Sequence, residues 1–223
     1  MYIDTHSHIY DEAFDNDRES AFQRALSVGV ETILLPNTDE TTIKPMMDFY
    51  ESHQENCKVM MGLHPEGVKD DYKRHLSVIE KEMEKKCWVA IGEIGLDLYW
   101  DKTFEKHQVE VLKEQLRWAK QLHLPVSLHT REAFDLMFKV LESEQDGNLS
   151  GVFHCFNGTK EQADIAISLG FHYLDRMTTC HNRIDRPSMP IPTCHPYQPT
   201  RMSCLQHQSS WLLQYRIQHS YIP

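Results

Sequence analysis

Short apolar runs alternate along the chain with longer stretches of mixed polarity. Residues 2–4, 30–35, 58–63, 88–93, 125–129 and 151–154 are short, mostly apolar runs bounded by Pro, Gly, Asn or His. Each predicts a buried strand, and 171–174 predicts the beginning of a seventh. The segments between them carry apolar residues at three- and four-residue spacing and predict helices over 17–28, 40–53, 70–86, 104–122, 132–142 and 160–169. In the longest of these, Val111, Leu112, Leu116, Ala119 and Leu122 form the apolar stripe. Gly29 follows the first helix as a natural C-terminal stop. Strand and helix in strict alternation imply a parallel sheet covered by helices. Six or seven such units predict an α/β fold of the TIM-type (β/α)8 barrel, here incomplete, with strands seven and eight not recognisable as full elements.

A barrel of this type carries its chemistry at the C-terminal ends of its strands. Those ends hold His6 and His8, then His64, Glu93, His129 and His154, so that five of the six readable strands finish in a metal-ligand type. In an extended segment His6 and His8 fall on one face. Glu93, between Gly92 and Ile94-Gly95, ends an apolar run where an unpartnered carboxylate is costly. Imidazoles with one carboxylate suit zinc or manganese, and a shared carboxylate can bridge two ions. Such a pair activates water and clamps both oxygens of a displacement, so no Ser or Cys nucleophile is needed. His53, His75, His107 and His123 fall on helices or helix ends and are read as ordinary surface or packing residues; His172 lies in the seventh strand.

Composition narrows the class. The chain has 223 residues, is 40% hydrophobic and carries a formal net charge of -10. An acidic chain has no general attraction for nucleic acid or anionic lipid, so positive charge at a phosphodiester must be supplied locally, and bound metal could supply it. No basic-then-apolar leader and no apolar run of transmembrane length is present, which predicts a cytoplasmic protein with no membrane partner. Six Cys without CxxC spacing read as free thiols. No obligate protein partner is expected.

From about residue 175 the pattern changes. Residues 176–223 contain no Gly, five Arg and a single Asp, a net of +4 against -14 for residues 1–175. Pro187, Pro190, Pro192, Pro196 and Pro199 interrupt any regular element. The expected organisation is therefore a barrel over 1–174 and a divergent, poorly structured tail over 175–223. The abrupt change reads as a shift of reading frame or an alternative coding end.

Five segments in this order and spacing resemble the TatD family of metal-dependent deoxyribonucleases. They are Asp4-Thr5-His6-Ser7-His8, Gly62-Leu63-His64-Pro65, Ala90-Ile91-Gly92-Glu93-Ile94-Gly95-Leu96-Asp97, Leu128-His129-Thr130-Arg131-Glu132-Ala133 and His154-Cys155-Phe156-Asn157-Gly158. The resemblance covers about residues 1–174. It implies two divalent metal ions (Mg, Mn or Zn) and hydrolysis of DNA, often from a 3′ end. By position it implies His6, His8 and Glu93 on one metal, with Glu93, as bridging and catalytic residue, reaching a second metal held by His129 and His154. His64 would bind substrate beside the scissile phosphate. The family also has an eighth strand ending in a Glu-Thr-Asp type segment, which this chain lacks; Cys204 falls near that distance in unlike surroundings. The expected activity of this chain is accordingly low. Two other readings stand beside the nuclease. One is an amidohydrolase or lactonase, against which Glu93 argues by standing where that class often has a carbamylated Lys. The other is a non-catalytic truncated product.

Overall fold

The computed structural model describes residues 2–175. Seven parallel strands form one sheet in sequence order: β1 (Tyr2–Asp4), β2 (Val30–Pro36), β3 (Cys57–Met61), β4 (Trp88–Asp97), β5 (Val126–Arg131), β6 (Gly151–Phe156) and β7 (Phe171–Asp175). The crossovers carry α1 (Arg18–Ser27), α2 (Ile43–Ser52), α3 (Tyr72–Glu82), α4 (Glu105–Leu122), α5 (Phe134–Glu144) and α6 (Lys160–Ser168). Parallel neighbours need such crossovers, because a tight hairpin cannot return the chain in the same direction. Gly29, at φ +90°, ends α1 where a side chain would be strained. Thr159 and Gln162 close a reciprocal capping box on α6.

The sheet is curled. β1 and β6 are five neighbours apart, about 24 Å in a flat sheet at about 4.8 Å per strand. Yet His6, just beyond β1, stacks on His154 of β6 with ring centroids 3.5 Å apart. Seven strands thus wrap the greater part of a TIM-type barrel wall. Within the described residues β1 and β7 are its two outer strands. The eighth strand and the tail expected over 175–223 lie, apart from Asp175 in β7, outside the described residues. β7 is a full five-residue strand paired with β6, where the sequence pattern showed only its beginning.

Two apolar clusters make up the core. Phe22, Ile33, Leu35, Met46, Val59, Met61 and Ile79 gather around β2 and β3. Ile91, Leu112, Leu116, Leu128, Met137, Leu141, Phe153 and Phe171 gather around β4 to β7. α4 spans the seam, giving Val111 and Trp118 to the first and Leu112, Leu116 and Ala119 to the second. Leu122, counted on the apolar stripe from sequence, is instead 42% exposed at the helix end. No helix among the described residues is long and apolar enough to cross a membrane.

Candidate metal centre

β4 supplies the central residue. All ten of its positions are buried, and it runs four residues past Glu93, so Glu93 sits within the strand rather than at its end. The β4–β5 register shifts between Ile91 and Ile94, and the Glu93 amide donates to the Asn37 carbonyl on the other side at 3.2 Å. The carboxylate therefore stands among four histidines brought by β1, β3 and β5. Its two oxygens face different partners. Oε2 is 3.0 Å from His6 Nε2 and 3.6 Å from His8 Nε2. Oε1 is 3.1 Å from His129 Nδ1 and 3.8 Å from His64 Nε2. Two clusters of potential ligand atoms result, His6–His8–Glu93 and His64–Glu93–His129, each with all atoms within 4.8 Å.

His6 and His8 lie beyond β1 in irregular chain, tied down by the Ser7 amide donating to the Leu34 carbonyl and the His6 amide to Asp4 Oδ1. Their Nε2 atoms are 3.2 Å apart. The Tyr10 hydroxyl donates to the Pro36 carbonyl, so it accepts from His8 Nδ1 at 2.8 Å. That places the His8 proton on Nδ1 and turns the Nε2 lone pair toward His6 and Glu93. His154 packs ring on ring against His6 and joins neither cluster. His64 stands edge to face against His129 at 4.4 Å. Its Nδ1 accepts the Glu66 amide at 3.2 Å, which leaves Nε2–H as a donor aimed at the Glu93 side.

Three residues that the sequence patterns did not single out complete the site. Asp97, two strand periods after Glu93, accepts from His129 Nε2 at 2.8 Å through Oδ2 and from the Tyr99 amide at 3.0 Å through Oδ1. Gln108 and Gln115 sit seven residues apart on the buried face of α4. Gln108 clamps the amide and carbonyl of Asp97, and Gln115 does the same for Leu63, next to His64. The available signals were same-face spacing from Glu93 to Asp97 and two polar residues on an apolar stripe.

Charge follows from these contacts. Burial alone would raise the Glu93 carboxyl, but the neighbouring His6 ring and hydrogen bonds from His129 and His6 hold it well below the usual range. Burial also works against a charged His129, yet hydrogen bonds to Asp97 and Glu93 lift it to about 9. Burial pushes His64 down to about 4 and His154, beside His6, to about 3, so both rings are neutral.

The donor set fits a divalent metal. His6 Nδ1 and His154 Nδ1 are buried with no hydrogen-bond partner. The Nε2 atoms of His6 and His8 converge on one carboxylate oxygen, although a neutral imidazole pair can share only one proton there. Neutral imidazole and carboxylate are the ligand types zinc, manganese and related ions take. Glu93 offers one oxygen to each of the two clusters.

Comparison with known proteins fits this geometry. The profile described as "TatD related DNase" matches residues 3–174. The uncharacterized metal-dependent hydrolase YabD of Bacillus subtilis (strain 168) is 33% identical over 172 residues, covering 77% of this chain and 67% of that protein. The 3′-5′ ssDNA/RNA exonuclease TatD of Pantoea ananatis is 32% identical over 157 residues, covering 70% of this chain and 60% of that protein. The crystal structure of YjjV, a TatD homologue from Escherichia coli K12, superposes with a TM-score of 0.69 at 33% identity, covering 77% of this chain and 66% of that one. The matched part thus spans about two thirds of the relatives' length.

Proposed function

We propose, from the premise that this chain belongs to the TatD related DNase family, that it hydrolyses phosphodiester bonds of single-stranded nucleic acid, DNA foremost, with divalent metal at the Glu93 centre. The family is one of metal-dependent hydrolases. The observation that carries the finer reading is the divided carboxylate of Glu93, with one oxygen on His6 and His8 and the other on His129 and His64. A carboxylate that offers one oxygen to each of two histidine clusters suits a two-ion displacement site. The name of the Pantoea relative, an ssDNA/RNA exonuclease, supports nucleic acid as the substrate class.

His6, His8 and Glu93 would hold one ion, and Glu93 with His129 the second; His154 would enter from its place on His6. Bound metal supplies positive charge for the phosphate and lowers the pKa of a water from about 15.7 toward about 7. The remaining work belongs to the chain. Asp97 keeps the His129 ring oriented by holding Nε2–H, which frees Nδ1 once its proton leaves. His64, neutral and with Nε2–H directed into the site, is placed to donate to a phosphate oxygen rather than to ligate. The proton it holds there makes it a substrate-binding residue.

Purified protein in excess over substrate, with Mn²⁺, Mg²⁺ or Zn²⁺, is expected to release nucleotides slowly from labelled single-stranded oligonucleotides and to be silent in chelator. Glu93→Gln should abolish release and bring metal content well below that of the native chain. Native protein carrying two ions per chain that cleaves no phosphodiester in enzyme excess, while opening an amide or lactone, would overturn the assignment. Undiminished release by Glu93→Gln would trace the activity to a contaminant.

A further inference from the structure

Beside the metal centre the rim carries an aromatic surface that the chemistry above leaves unused. β4 ends at Asp97, and the chain then buries Leu98 and turns Tyr99 and Trp100 outward, 50% and 72% exposed. The two rings meet edge to face with centroids 4.6 Å apart. The Arg131 guanidinium, from the end of the neighbouring β5, lies over the Tyr99 ring at 3.7 Å and reaches Trp100 at 5.3 Å. Its charge helps to lower the Asp97 carboxyl, but only through space. Among the described residues the Arg131 side chain makes no hydrogen bond and no ion pair, so its five N–H donors have no anionic partner in contact.

This group is anchored to the centre. Asp97 and Arg131 are register partners across β4 and β5, and the Leu98 amide donates to the Arg131 carbonyl at 3.0 Å. The carboxylate that holds His129 also accepts the Tyr99 amide. One residue thus fixes both a candidate metal ligand and the aromatic rim, which gives the rim a set distance from the reacting phosphate.

We propose that the exposed face of Trp100, held edge to face by Tyr99 and backed by Arg131, is a platform on which an unpaired nucleobase next to the scissile bond stacks, with Arg131 taking a neighbouring phosphate. The inference rests on the nucleic-acid reading above. A base in a duplex hides both faces in the stack, whereas a single strand offers a free π-face. Exposed aromatics with an adjacent guanidinium match that combination of flat base and anionic backbone. A strand entering here is selected for being single, without regard to its sequence.

The test uses the metal-loaded full chain and a short 5′-fluorescein oligodeoxyadenylate with hydrolysis-resistant phosphorothioate links, read by anisotropy. A second oligomer has the same backbone with its 3′-terminal bases removed. The double variant Tyr99→Ala/Trp100→Ala is expected to bind the complete oligomer at least about tenfold more weakly and the abasic one unchanged. Arg131→Ala is expected to weaken both. Quenching of tryptophan emission on binding should vanish in Trp100→Phe while affinity is largely kept. All these side chains lie at the rim, and unchanged melting temperatures check the fold. If the native chain binds the single strand and the double variant binds equally well, or loses equally on both oligomers, the platform is refuted and the nuclease reading survives. If the native chain binds neither oligomer, both fall.

Discussion

Replacing Asp97 with asparagine changes one atom and should uncouple His129 from metal. In the native chain Asp97 Oδ1 accepts the Tyr99 amide at 3.0 Å and Oδ2 accepts from His129 Nε2 at 2.8 Å. In Asp97→Asn the side-chain amide would keep its oxygen on Tyr99, since the reverse sets N–H against N–H. Its NH₂ then faces His129 Nε2, which must accept. The ring gives up its Nε2 proton and keeps the one on Nδ1, 3.1 Å from Glu93 Oε1, where a metal ligand needs a lone pair. The count of hydrogen bonds is unchanged, so the metal-free protein should melt within a few degrees of native. Loss of such an orienting partner costs about 10- to 100-fold in metal affinity. At metal set to 100 times the native dissociation constant, binding stabilises the native fold by about 2.7 kcal/mol. The same concentration would stabilise Asp97→Asn by only about 0.4–1.4 kcal/mol. For a chain of this size that turns a metal-induced rise of about 5–10 °C into one of about 1–6 °C. The assay is thermal unfolding by circular dichroism in chelator and in Zn²⁺ or Mn²⁺, after the native affinity is fixed by chelator competition. A metal-induced rise in Asp97→Asn equal to the native one would refute the orienting role of Asp97.

Gly95→Ala should abolish soluble expression or cost more than about 4 kcal/mol. Gly95 sits at φ +152°, and a Cβ there would lie 1.9 Å from the His129 carbonyl oxygen and 2.8 Å from its carbon, backbone atoms that cannot yield without opening the β4–β5 seam. Full stability in a urea melt would contradict that close approach. Gln115→Leu strips partners from the buried Leu63 amide and carbonyl, so urea unfolding should show a loss of about 2–6 kcal/mol, at about 1–3 kcal/mol for each orphaned group. Tyr10→Phe removes the acceptor for His8 Nδ1 and the donor to the Pro36 carbonyl. Chelator competition should show metal affinity lowered by about tenfold, and native affinity would show that Tyr10 does not orient His8.

The alternation of strands and helices was legible because each strand here is a nearly continuous apolar run, bounded on both sides by turn residues. The curl of the sheet was inferable only from the count of units. Its direct sign, His6 on His154, depends on contacts far apart in the chain. His6, His8, His64, Glu93 and His129 stood out because imidazole and carboxylate are conspicuous beside apolar runs. Asp97 did not, since the apolar run was read as ending at Glu93 while β4 continues to Asp97, and an acid beyond the end of a run reads as a loop residue. Gln108 and Gln115 were hidden for another reason. A glutamine on a helix is usually solvated, and only the packing of α4 across the seam reveals two backbone clamps. Tyr10 likewise gains its role from the carbonyl of Pro36, a residue of a different strand.

These misses share a cause, and it bears on why the centre exists. β4 buries two carboxylates four residues apart in a strand with no exposed position. Each would be costly in an apolar wall without partners. Glu93 is relieved by His6 and His129, and Asp97 by His129, the Tyr99 amide and its neighbour Gln108, whose side chain holds the Asp97 backbone. Apolar residues in the same places would make an equal or more stable wall, as replacement of buried charged groups often does. The arrangement also leaves His6 Nδ1 and His154 Nδ1 without partners in the same interior. A fold selected for stability alone has no use for two buried acids, a charged histidine and two orphaned ring nitrogens within one strand-end cluster. Binding a cation at Glu93 offsets those costs together. Stability of this half of the barrel should therefore depend on metal more than on any single hydrogen bond within the site, and chelator should lower the melting temperature of the native chain more than Tyr10→Phe does in the metal-free state.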